Sequence, residues 1–385
     1  MAQIAGPTGD YRVVQIHPLL KCNLRCLHCY SSSSPTQLPT LPLERVCSAV
    51  DLLHAEGYNS VGISGGEPLL YAQLPKLLQH IRDLAMIATV TTNGMLVDDR
   101  LAAMLREATK LVAVSVDGPP ESHNRMRAHP QAFKRMTEGV ARLKHAGVPF
   151  GFIFTLTLCN LHELNWLAEF AVAQGARLLQ VHPLEEVGRA TDQFSGCAPD
   201  ALELARAFVE VARLQKEYAG TLTIQYDVAD LELLCAKPEC GYAVEPFVAC
   251  ETKDAVAIPL ADLIAPIIIE ADGAIVPLQY NFSRFYQIGN INADGVSAQI
   301  RTWKQSNYHQ FLALCRSVYD RLLQPGATEY PFVNWYGEML QASQAVQFKP
   351  AADTGSISYF RLPVATNAPR PISANTLADR NSLRV

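Results

Sequence analysis

The stretch YRVVQIHPLLKCNLRCLHCY, residues 11–30, joins an apolar run to a cluster of cysteines. Its first part, Tyr11–Leu19, is rich in β-branched and aromatic residues and predicts a strand. The cysteines that follow, Cys22, Cys26 and Cys29, are spaced four and three residues apart, on the loop at the carboxyl end of that strand. In a barrel of parallel strands, this end is where chemistry is carried out.

Strand-like and helix-like segments then alternate as far as residue 218. The other predicted strands are Ser60–Ser64, Ala88–Thr92, Leu111–Asp117, Val148–Thr157 and Arg177–His182. Apolar residues at helical spacing predict helices at Leu43–Glu56, Gln73–Leu84, Asp98–Ala108, Ala132–Ala146, Leu161–Gln174 and Asp200–Tyr218. Repeated βα units predict parallel strands covered by helices, and right-handed crossovers throughout would curl six units into an open barrel. We therefore expect an α/β fold with a partial (β/α)6 TIM-like barrel; a flat doubly wound sheet is the alternative.

The alternation of strand-like and helix-like segments ends after Tyr218. Ile267–Pro277 predicts a β-hairpin, because its central Asp272-Gly273 supplies the positive φ of a tight turn. Ile300–Leu323 has helical spacing, and the Pro/Ala/Ser/Asn-rich stretch from Lys349 predicts a loose tail. We expect an N-terminal extension (1–10), the barrel (11–226), a smaller α+β domain (227–349) and a flexible tail (350–385).

Composition and charge narrow the classes of function. Hydrophobic residues make up 49% of the 385 and charged residues 18%, so a large core can be buried and the chain is not expected to be disordered. The net charge is −5 and no basic block is present, so we expect no nucleic-acid partner. Met1–Asp10 lacks a signal-peptide pattern, and prolines and acidic residues interrupt the most apolar stretch, Val256–Leu278. We therefore expect no membrane association and a cytoplasmic location.

The cysteine cluster has two chemical interpretations. A chain of this length does not need disulfides for stability, and a tight group of cysteines predicts metal binding. Three thiolates on one loop can hold three corners of a [4Fe-4S] cluster and leave its fourth iron open to a ligand. With His28 as a fourth ligand, the same loop could hold a structural zinc ion, although His28 directly precedes Cys29 and adjacent residues rarely point at one ion.

Several motifs, in register along the chain, resemble those of the radical S-adenosylmethionine (radical SAM) enzymes. The Cys-x3-Cys-x2-Cys run after the first strand resembles the cluster signature of that family. Ser64-Gly65-Gly66-Glu67-Pro68 resembles its GGE motif, and Thr91-Thr92-Asn93-Gly94 resembles its TNG turn. Ser115-Val116-Asp117-Gly118, followed by ESHNRMR at 121–127, resembles the SxDG…HdxxRg run of its peptide-modifying branch. The sequence departs from that run at Asn124 and Ala128.

The resemblance covers residues 11–218 and implies a set of site residues. Cys22, Cys26 and Cys29 would bind one [4Fe-4S] cluster. The residues implied to hold S-adenosylmethionine are Gly65, Gly66, Glu67, Pro68, Asn93, Ser115, Asp117, Arg127 and Val181. Among them, the GGE motif would hold the methionine amine, while Ser115 and Arg127 would contact the ribose and the methionine carboxylate. Asp117 would either face the ligand or cap the following helix, and Val181 would lie against the adenine.

The same resemblance implies a reaction. A reduced cluster would pass one electron to S-adenosylmethionine, giving a 5′-deoxyadenosyl radical that removes a hydrogen atom from substrate. The electron would come from a one-electron reductant such as flavodoxin or ferredoxin. We expect a ribosomally made peptide or protein as substrate. The alternatives are a small molecule (a tetrapyrrole, cofactor precursor or natural product) and, from another class, a non-catalytic metal-binding scaffold. No catalytic or radical-quenching side chain is predicted.

The C-terminal segment resembles the SPASM/twitch extension of that family. ADGAIVP at 271–277 and IGNI at 288–291 match its conserved core, but Leu278 stands where a cysteine is expected. The cysteine series that normally follows is reduced to Cys315, and Cys235, Cys240 and Cys250 have spacings that match no closed site. Because an auxiliary cluster needs about four ligands, we expect this domain to keep its fold without one. It could instead dock an extended peptide at a sheet edge.

Overall fold

The computed structural model describes residues 11–236, 255–324, 326–327 and 329–345. All of them belong to the first of two compact units, Met1–Gln347 and Phe348–Val385. The predicted extension 1–10 and tail 350–385 lie outside the described residues, as do Cys240, Cys250 and the side chain of Cys235. None of the helices in the described ranges combines the length and hydrophobicity that a membrane crossing requires.

The strands of the described residues form one large sheet and one separate pair. They are β1 (Val13–Ile16), β2 (Ser60–Ile63), β3 (Ile87–Thr92), β4 (Leu111–Ser115), β5 (Phe150–Leu156), β6 (Leu178–Pro183), β7 (Thr223–Tyr226), β8 (Ala229–Asp230), β9 (Ile267–Ile269), β10 (Ala274–Pro277), β11 (Gly289–Asn290) and β12 (Phe332–Val333). The large sheet has the order β11-β10-β9-β1-β2-β3-β4-β5-β6-β7, and β8 pairs with β12. Strands β1 to β7 are parallel neighbours in chain order, which confirms the expected α/β fold.

Helices alternate with these strands and cover the sheet. They are α1 (Leu43–Ala55), α2 (Leu74–Asp83), α3 (Asp99–Ala108), α4 (Pro120–Met126), α5 (Ala132–His145), α6 (Leu164–Gln174), α7 (Ala190–Gln193), α8 (Ala201–Glu217), α9 (Leu231–Ala236), α10 (Leu260–Leu263), α11 (Val296–Thr302), α12 (Tyr308–Leu322) and α13 (Trp335–Ala345). In α1, the buried residues Val46, Ala49, Val50 and Leu53 recur at helical spacing and form one apolar face. Fully burying each larger aliphatic side chain contributes about 1.5–3 kcal/mol.

The six predicted strand–helix pairs are all present, with ends shifted by a few residues. The prediction missed the short elements β7, β8, β11, β12, α4, α7, α9 and α10, and it also missed α13. Strand β7 has only four residues and is defined by its pairing with β6, a tertiary contact that local pattern does not report. The helix predicted at Ile300–Leu323 begins earlier, as α11, and a π-helical turn at Trp303–Asn307 separates it from α12.

The large sheet is curved around a central cavity. In β3, Ala88, Val90 and Thr92 are buried, while the alternating Thr89 and Thr91 line the cavity. Side chains from β1 and β6 line the same cavity of about 420 Å³. In a flat sheet, five inter-strand spacings would separate β1 and β6 by about 24 Å, too far to enclose so small a space. The sheet is therefore a partial barrel, as expected, and not a flat doubly wound sheet.

The predicted β-hairpin is present and extends the barrel sheet. Strand β9 pairs in parallel with β1, and β10 returns antiparallel to β9. Gly273 has a φ of 86°, and Asp272 Oδ1 accepts a hydrogen bond from the Ala274 amide at 3.1 Å, as the Asp-Gly turn predicts. The residues after β10, Gln279 and Tyr280, consequently reach the cavity. The division of the chain into domains at 226/227 stays a prediction.

Candidate active site

The central cavity brings together most of the predicted site residues, although they come from loops far apart in sequence. Those that line it are Cys22, Cys26, Cys29, Gly65, Gly66, Asn93, Ser115 and Arg127. The cysteines follow β1, the glycines follow β2, Asn93 follows β3, Ser115 ends β4, and Arg127 follows α4. Parallel neighbouring strands place these chain segments along the same edge of the sheet, which is why they converge.

The three cysteines are free thiols with polar neighbours. Cys22 and Cys26 are buried and Cys29 is half-buried. The Cys22 sulfur accepts from the Leu24 amide at 3.4 Å, and the Cys26 sulfur lies 3.8 Å from Arg127 Nη1. Burial, and then the nearby charge of Glu67 and the other two thiols, raises the pKa of Cys22 to about 12. All three thiols line the central cavity, and thiolates are the ligands that iron–sulfur clusters use.

The contacts of His28 bear on the choice between a cluster and a single zinc ion. Within the described ranges, no three His, Cys, Asp or Glu side chains are close enough to hold one metal ion. In an iron–sulfur cubane each thiolate binds a different iron, so the sulfurs need not converge on one point. His28, the possible fourth zinc ligand, instead lies with Nε2 3.8 Å from Asp117 Oδ2. The three thiols therefore fit the donor set of a [4Fe-4S] cluster.

Gly65 and Gly66 are required by the close approach of the loop that leads into the cysteines. A Cβ on Gly65 would lie 2.7 Å from the carbonyl oxygen of Leu19, and one on Gly66 would lie 2.2 Å from that of Lys21. The Gly66 amide donates to the Leu19 carbonyl at 2.9 Å. Because both obstacles are backbone atoms, a larger residue here would displace the cysteine loop itself.

Glu67 lies beneath the cavity and does not line it. Its Oε1 accepts from Thr92 Oγ1 at 2.7 Å and from the Leu69 amide at 3.1 Å, and its Oε2 accepts from the Asn93 amide at 2.9 Å. Burial raises the pKa of this carboxyl group above its ordinary value, although these hydrogen bonds oppose the shift. The side chain therefore ties the ends of β2 and β3 together, whereas the sequence predicted direct cofactor contact.

Asn93 links the end of β3 to the cysteine loop. Its Nδ2 donates to Asn23 Oδ1 at 2.8 Å and lies 3.9 Å from the Cys22 sulfur, and its Oδ1 accepts from the Met95 amide at 3.0 Å. Glu67 holds the backbone amide of the same residue. This chain of contacts positions Asn93 in the cavity wall.

Asp117 orients Arg127. The two roles predicted for Asp117 were to face the ligand or to cap the following helix, and neither includes this contact. The carboxylate is fully buried, does not line the cavity and makes no capping hydrogen bond to α4, which has Pro119 at its N-cap. Its Oδ2 accepts from Arg127 Nε at 2.6 Å. Burial alone would raise the pKa of Asp117, but the positive charge of Arg127, followed by His28 and His123, lowers it below its ordinary value. Arg127 is thus a fixed cation in the cavity wall.

Pro68 and Val181 also lie outside the cavity. Pro68 begins a short 3-10 turn after Glu67. Val181 is fully buried, and because side chains alternate along β6, Gln180 and His182 line the cavity in its place. This placement corrects the predicted side-chain contact of Val181 with adenine; a contact through its backbone stays a prediction.

Sequence analysis missed the part of the cavity wall that the hairpin supplies. Tyr280 stacks on His17 with ring centroids 4.8 Å apart and meets Tyr30 edge-on at 5.3 Å. Tyr30 directly follows Cys29, so these aromatic contacts join the hairpin to the cysteine loop. The sequence contains one indication of this role, which is the position of Tyr280 just after the hairpin motif. The pairing of β9 with β1, which has no local sequence pattern, brings Tyr280 to the cavity.

Comparisons with known proteins agree with this geometry. Residues 16–171 match the Radical SAM superfamily profile. The chain is 32% identical over 146 residues to Fe-coproporphyrin III synthase of Methanosarcina barkeri, covering 37% of each chain. It is 26% identical over 193 residues to the sporulation killing factor maturation protein SkfB of Bacillus subtilis, covering 50% of this chain and 47% of that protein. The solved structure of anSMEcpe with bound AdoMet and Cp18Cys peptide superposes with a TM-score of 0.57 at 18% identity, covering 86% of this chain and 95% of that one.

These matches differ in extent. The chain spans less than half the length of the two curated relatives, whereas the structural likeness to anSMEcpe extends over nearly the whole of both chains and shows the fold. Radical SAM enzymes use a [4Fe-4S] cluster and S-adenosylmethionine. The three cysteines and most residues that line the cavity lie within the matched residues, whereas Gln180, His182, Gln279 and Tyr280 lie beyond them. Residues 16–171 therefore form a domain of the Radical SAM superfamily.

Proposed function

We propose that this protein is a radical SAM enzyme that cleaves S-adenosylmethionine reductively and removes a hydrogen atom from a peptide or protein substrate. The observation that carries the proposal is the convergence of Cys22, Cys26 and Cys29 with Gly65, Gly66 and Arg127 around one cavity inside the barrel. When bound, the cluster and S-adenosylmethionine supply one-electron cleavage of the sulfonium to a 5′-deoxyadenosyl radical. A one-electron donor such as flavodoxin or ferredoxin would provide the electron.

The protein's own residues would bind the cluster and orient S-adenosylmethionine. Cys22, Cys26 and Cys29 would hold the cluster. Arg127, fixed by its bond to Asp117, places a permanent cation in the wall and would pair with the methionine carboxylate of the cofactor. Ser115 and Asn93 contribute neutral polar groups to the same wall. A bound substrate would help to exclude water from this cavity, which would protect a reactive radical from side reactions.

The extent of the structural likeness to anSMEcpe favours a peptide substrate. SkfB is a maturation protein for a sporulation killing factor, and the anSMEcpe structure contains a bound peptide. The part of this chain beyond the barrel contributes Gln279 and Tyr280 to the cavity wall, so the C-terminal segment is placed to contact a substrate there. The second candidate is a tetrapyrrole substrate, which the identity to Fe-coproporphyrin III synthase favours.

The proposal is tested by anaerobic reconstitution followed by assay with S-adenosylmethionine and dithionite. We expect about four iron atoms with matching sulfide per chain, which is the content of one cubane without an auxiliary cluster. Liquid chromatography with mass spectrometry should detect 5′-deoxyadenosine. Zinc in place of iron, or no 5′-deoxyadenosine from iron-loaded protein, would contradict the proposal. Mass changes in peptides encoded near the gene, compared with changes in iron coproporphyrin, would then decide between the two substrate classes.

A pH-dependent ion pair in the cavity wall gives a further prediction. His182 Nδ1 lies 3.0 Å from Asp227 Oδ2, which also accepts from Gln180 Nε2 at 2.7 Å. Burial alone would lower the pKa of His182, but Asp227, with Glu185, raises it to about 9. Because the folded protein holds this proton more tightly than the unfolded chain, the pair stabilises fully below about pH 6.5. That stabilisation is lost as the pH rises through about 9.

The measurement compares the free energy of unfolding at pH 6 and pH 9.5 for the wild-type protein and His182→Gln. The wild-type protein should lose more stability than the variant over this range. NMR titration of the His182 ring should give a midpoint near pH 9. A midpoint at or below about 6.5, the ordinary value for histidine, would show that Asp227 does not hold the imidazolium.

A further inference from the structure

The segment after β6, Val187–Arg189, packs against the cysteine loop. Three hydrogen bonds connect Arg189 to carbonyl oxygens of that loop. Its Nη1 donates to the carbonyl of Cys26 at 2.6 Å, its Nη2 to that of Ser33 at 2.7 Å, and its backbone amide to that of Cys29 at 2.9 Å. Two of the three predicted cluster ligands are thus held through their own backbones by one residue more than 150 positions away in sequence.

Gly188 makes this close approach possible. Its φ is 60°, and a Cβ added there would lie 2.1 Å from the carbonyl oxygen of Tyr30 and 2.7 Å from that of Cys29. Both atoms belong to the backbone, so a side chain at this position would push the segment away from the loop. The backbone contact of Gly188 and the guanidinium contacts of Arg189 therefore depend on the same packing.

The charge of Arg189 is placed beside the cysteine loop. Among the described residues, its guanidinium forms no ion pair with a carboxylate, and its two hydrogen bonds go to neutral carbonyl groups. Arginine suits this position because its planar fork can donate to two acceptors at once. A [4Fe-4S]²⁺ core with three thiolates has a net charge of −1, so a nearby cation would stabilise it and favour its reduction.

We propose that Arg189 is a positioning residue of the cysteine loop. It donates hydrogen bonds to the carbonyl groups of Cys26, Cys29 and Ser33, and it places its positive charge beside the cluster. The inference rests on the proposed function for the cluster itself, but the contacts to the loop do not require metal. The positioning role and the charge effect can be separated with Arg189→Lys. Lysine keeps the positive charge, but it lacks the planar guanidinium that donates to both carbonyl groups at once.

The first experiment measures alkylation of the metal-free, reduced protein by N-ethylmaleimide, with each cysteine followed by peptide mass spectrometry. Arg189→Met should increase the alkylation rates of Cys26 and Cys29 roughly tenfold, a change at the low end for loss of a ligand-orienting contact. Cys159, which is exposed, serves as an internal standard and should not change. The control Arg206→Met removes an exposed arginine that pairs with Glu203 on its own helix. Unchanged rates in a folded Arg189→Met protein would overturn the proposal.

The second experiment uses the reconstituted protein. Under EDTA challenge, Arg189→Met should lose iron roughly 10–100 times faster than the wild-type protein, and its cluster should have a more negative reduction potential. Arg189→Lys should lose iron faster but keep a potential near that of the wild-type protein. If the cluster of Arg189→Met has the same reduction potential as that of the wild-type protein, the charge effect is refuted. If the wild-type protein binds no iron–sulfur cluster, the proposed function fails, while the alkylation experiment still decides the positioning role.

Discussion

Replacing Cys26 by alanine should abolish both the iron–sulfur cluster and the cleavage of S-adenosylmethionine. Two thiolates on the loop would remain, and a cubane held at only two corners lacks a ligand that the cysteine spacing provides. The expected result is a colourless protein after anaerobic reconstitution, with iron and sulfide near background and no 5′-deoxyadenosine above the no-enzyme control. Iron analysis, the visible absorption spectrum and chromatography of the reaction products measure the three quantities.

The control for this substitution is Cys159→Ala, because Cys159 is an exposed free thiol that does not line the cavity. That variant should bind iron and cleave S-adenosylmethionine like the wild-type protein. Thermal unfolding of both metal-free variants establishes that they fold. Retention of a full cluster by Cys26→Ala would show that this thiol is not a ligand and would remove the main support for the proposed function.

Replacing Asp117 by asparagine should destabilise the fold by about 3–5 kcal/mol, the range observed when one partner of a buried ion pair is removed. Arg127 is only 8% exposed and its Nε donates to Asp117 Oδ2, so the substitution leaves a buried guanidinium without its counter-ion. Loss of this bond also frees Arg127 to leave the position in which it would bind the cofactor. Denaturant unfolding of the metal-free protein measures the stability, and 5′-deoxyadenosine formation should fall with it.

A double substitution separates the buried charge from the loss of packing. In Asp117→Asn/Arg127→Met both charges are removed, so part of the lost stability should return while activity stays low. The exposed pair Arg213–Glu217 provides the matched control, and Glu217→Gln should cost less than about 1 kcal/mol. If Asp117→Asn costs no more than this surface substitution, then Asp117 does not hold Arg127 as the structure indicates.

Local pattern predicted the barrel because each βα unit carries its own signal. The alternation in β3 and the apolar face of α1 can be read without knowing their neighbours. The cysteines and the glycines were recognised as candidate site residues through their resemblance to the motifs of radical SAM enzymes, and the cysteines also follow the carboxyl end of a predicted strand. The hairpin was predicted from Asp272-Gly273, but its parallel pairing with β1 was not, because strand partners far apart in sequence have no local signature.

Within the site, the structure differs from the expectation in the direction of some side chains and not in their location. Glu67, Asp117 and Val181 belong to the correct chain segments, yet their side chains contact protein groups instead of the cavity. Val181 differs from His182 by one position, and that single step reverses the face of a strand. A motif places a residue to within a few ångströms, but its hydrogen-bond partners depend on the packed interior.

The amino-acid sequence by itself predicted the alternating strands and helices of the barrel and the three cysteines as candidate cluster ligands, because periodicity and ligand type are properties of short segments. Only the tertiary structure decided that Glu67 and Asp117 position their neighbours, that Tyr280 reaches the cavity and that Arg189 holds the cysteine loop. These hydrogen bonds join residues that lie between 10 and 163 positions apart. They arise when the sheet closes around its cavity and buried polar groups must find partners.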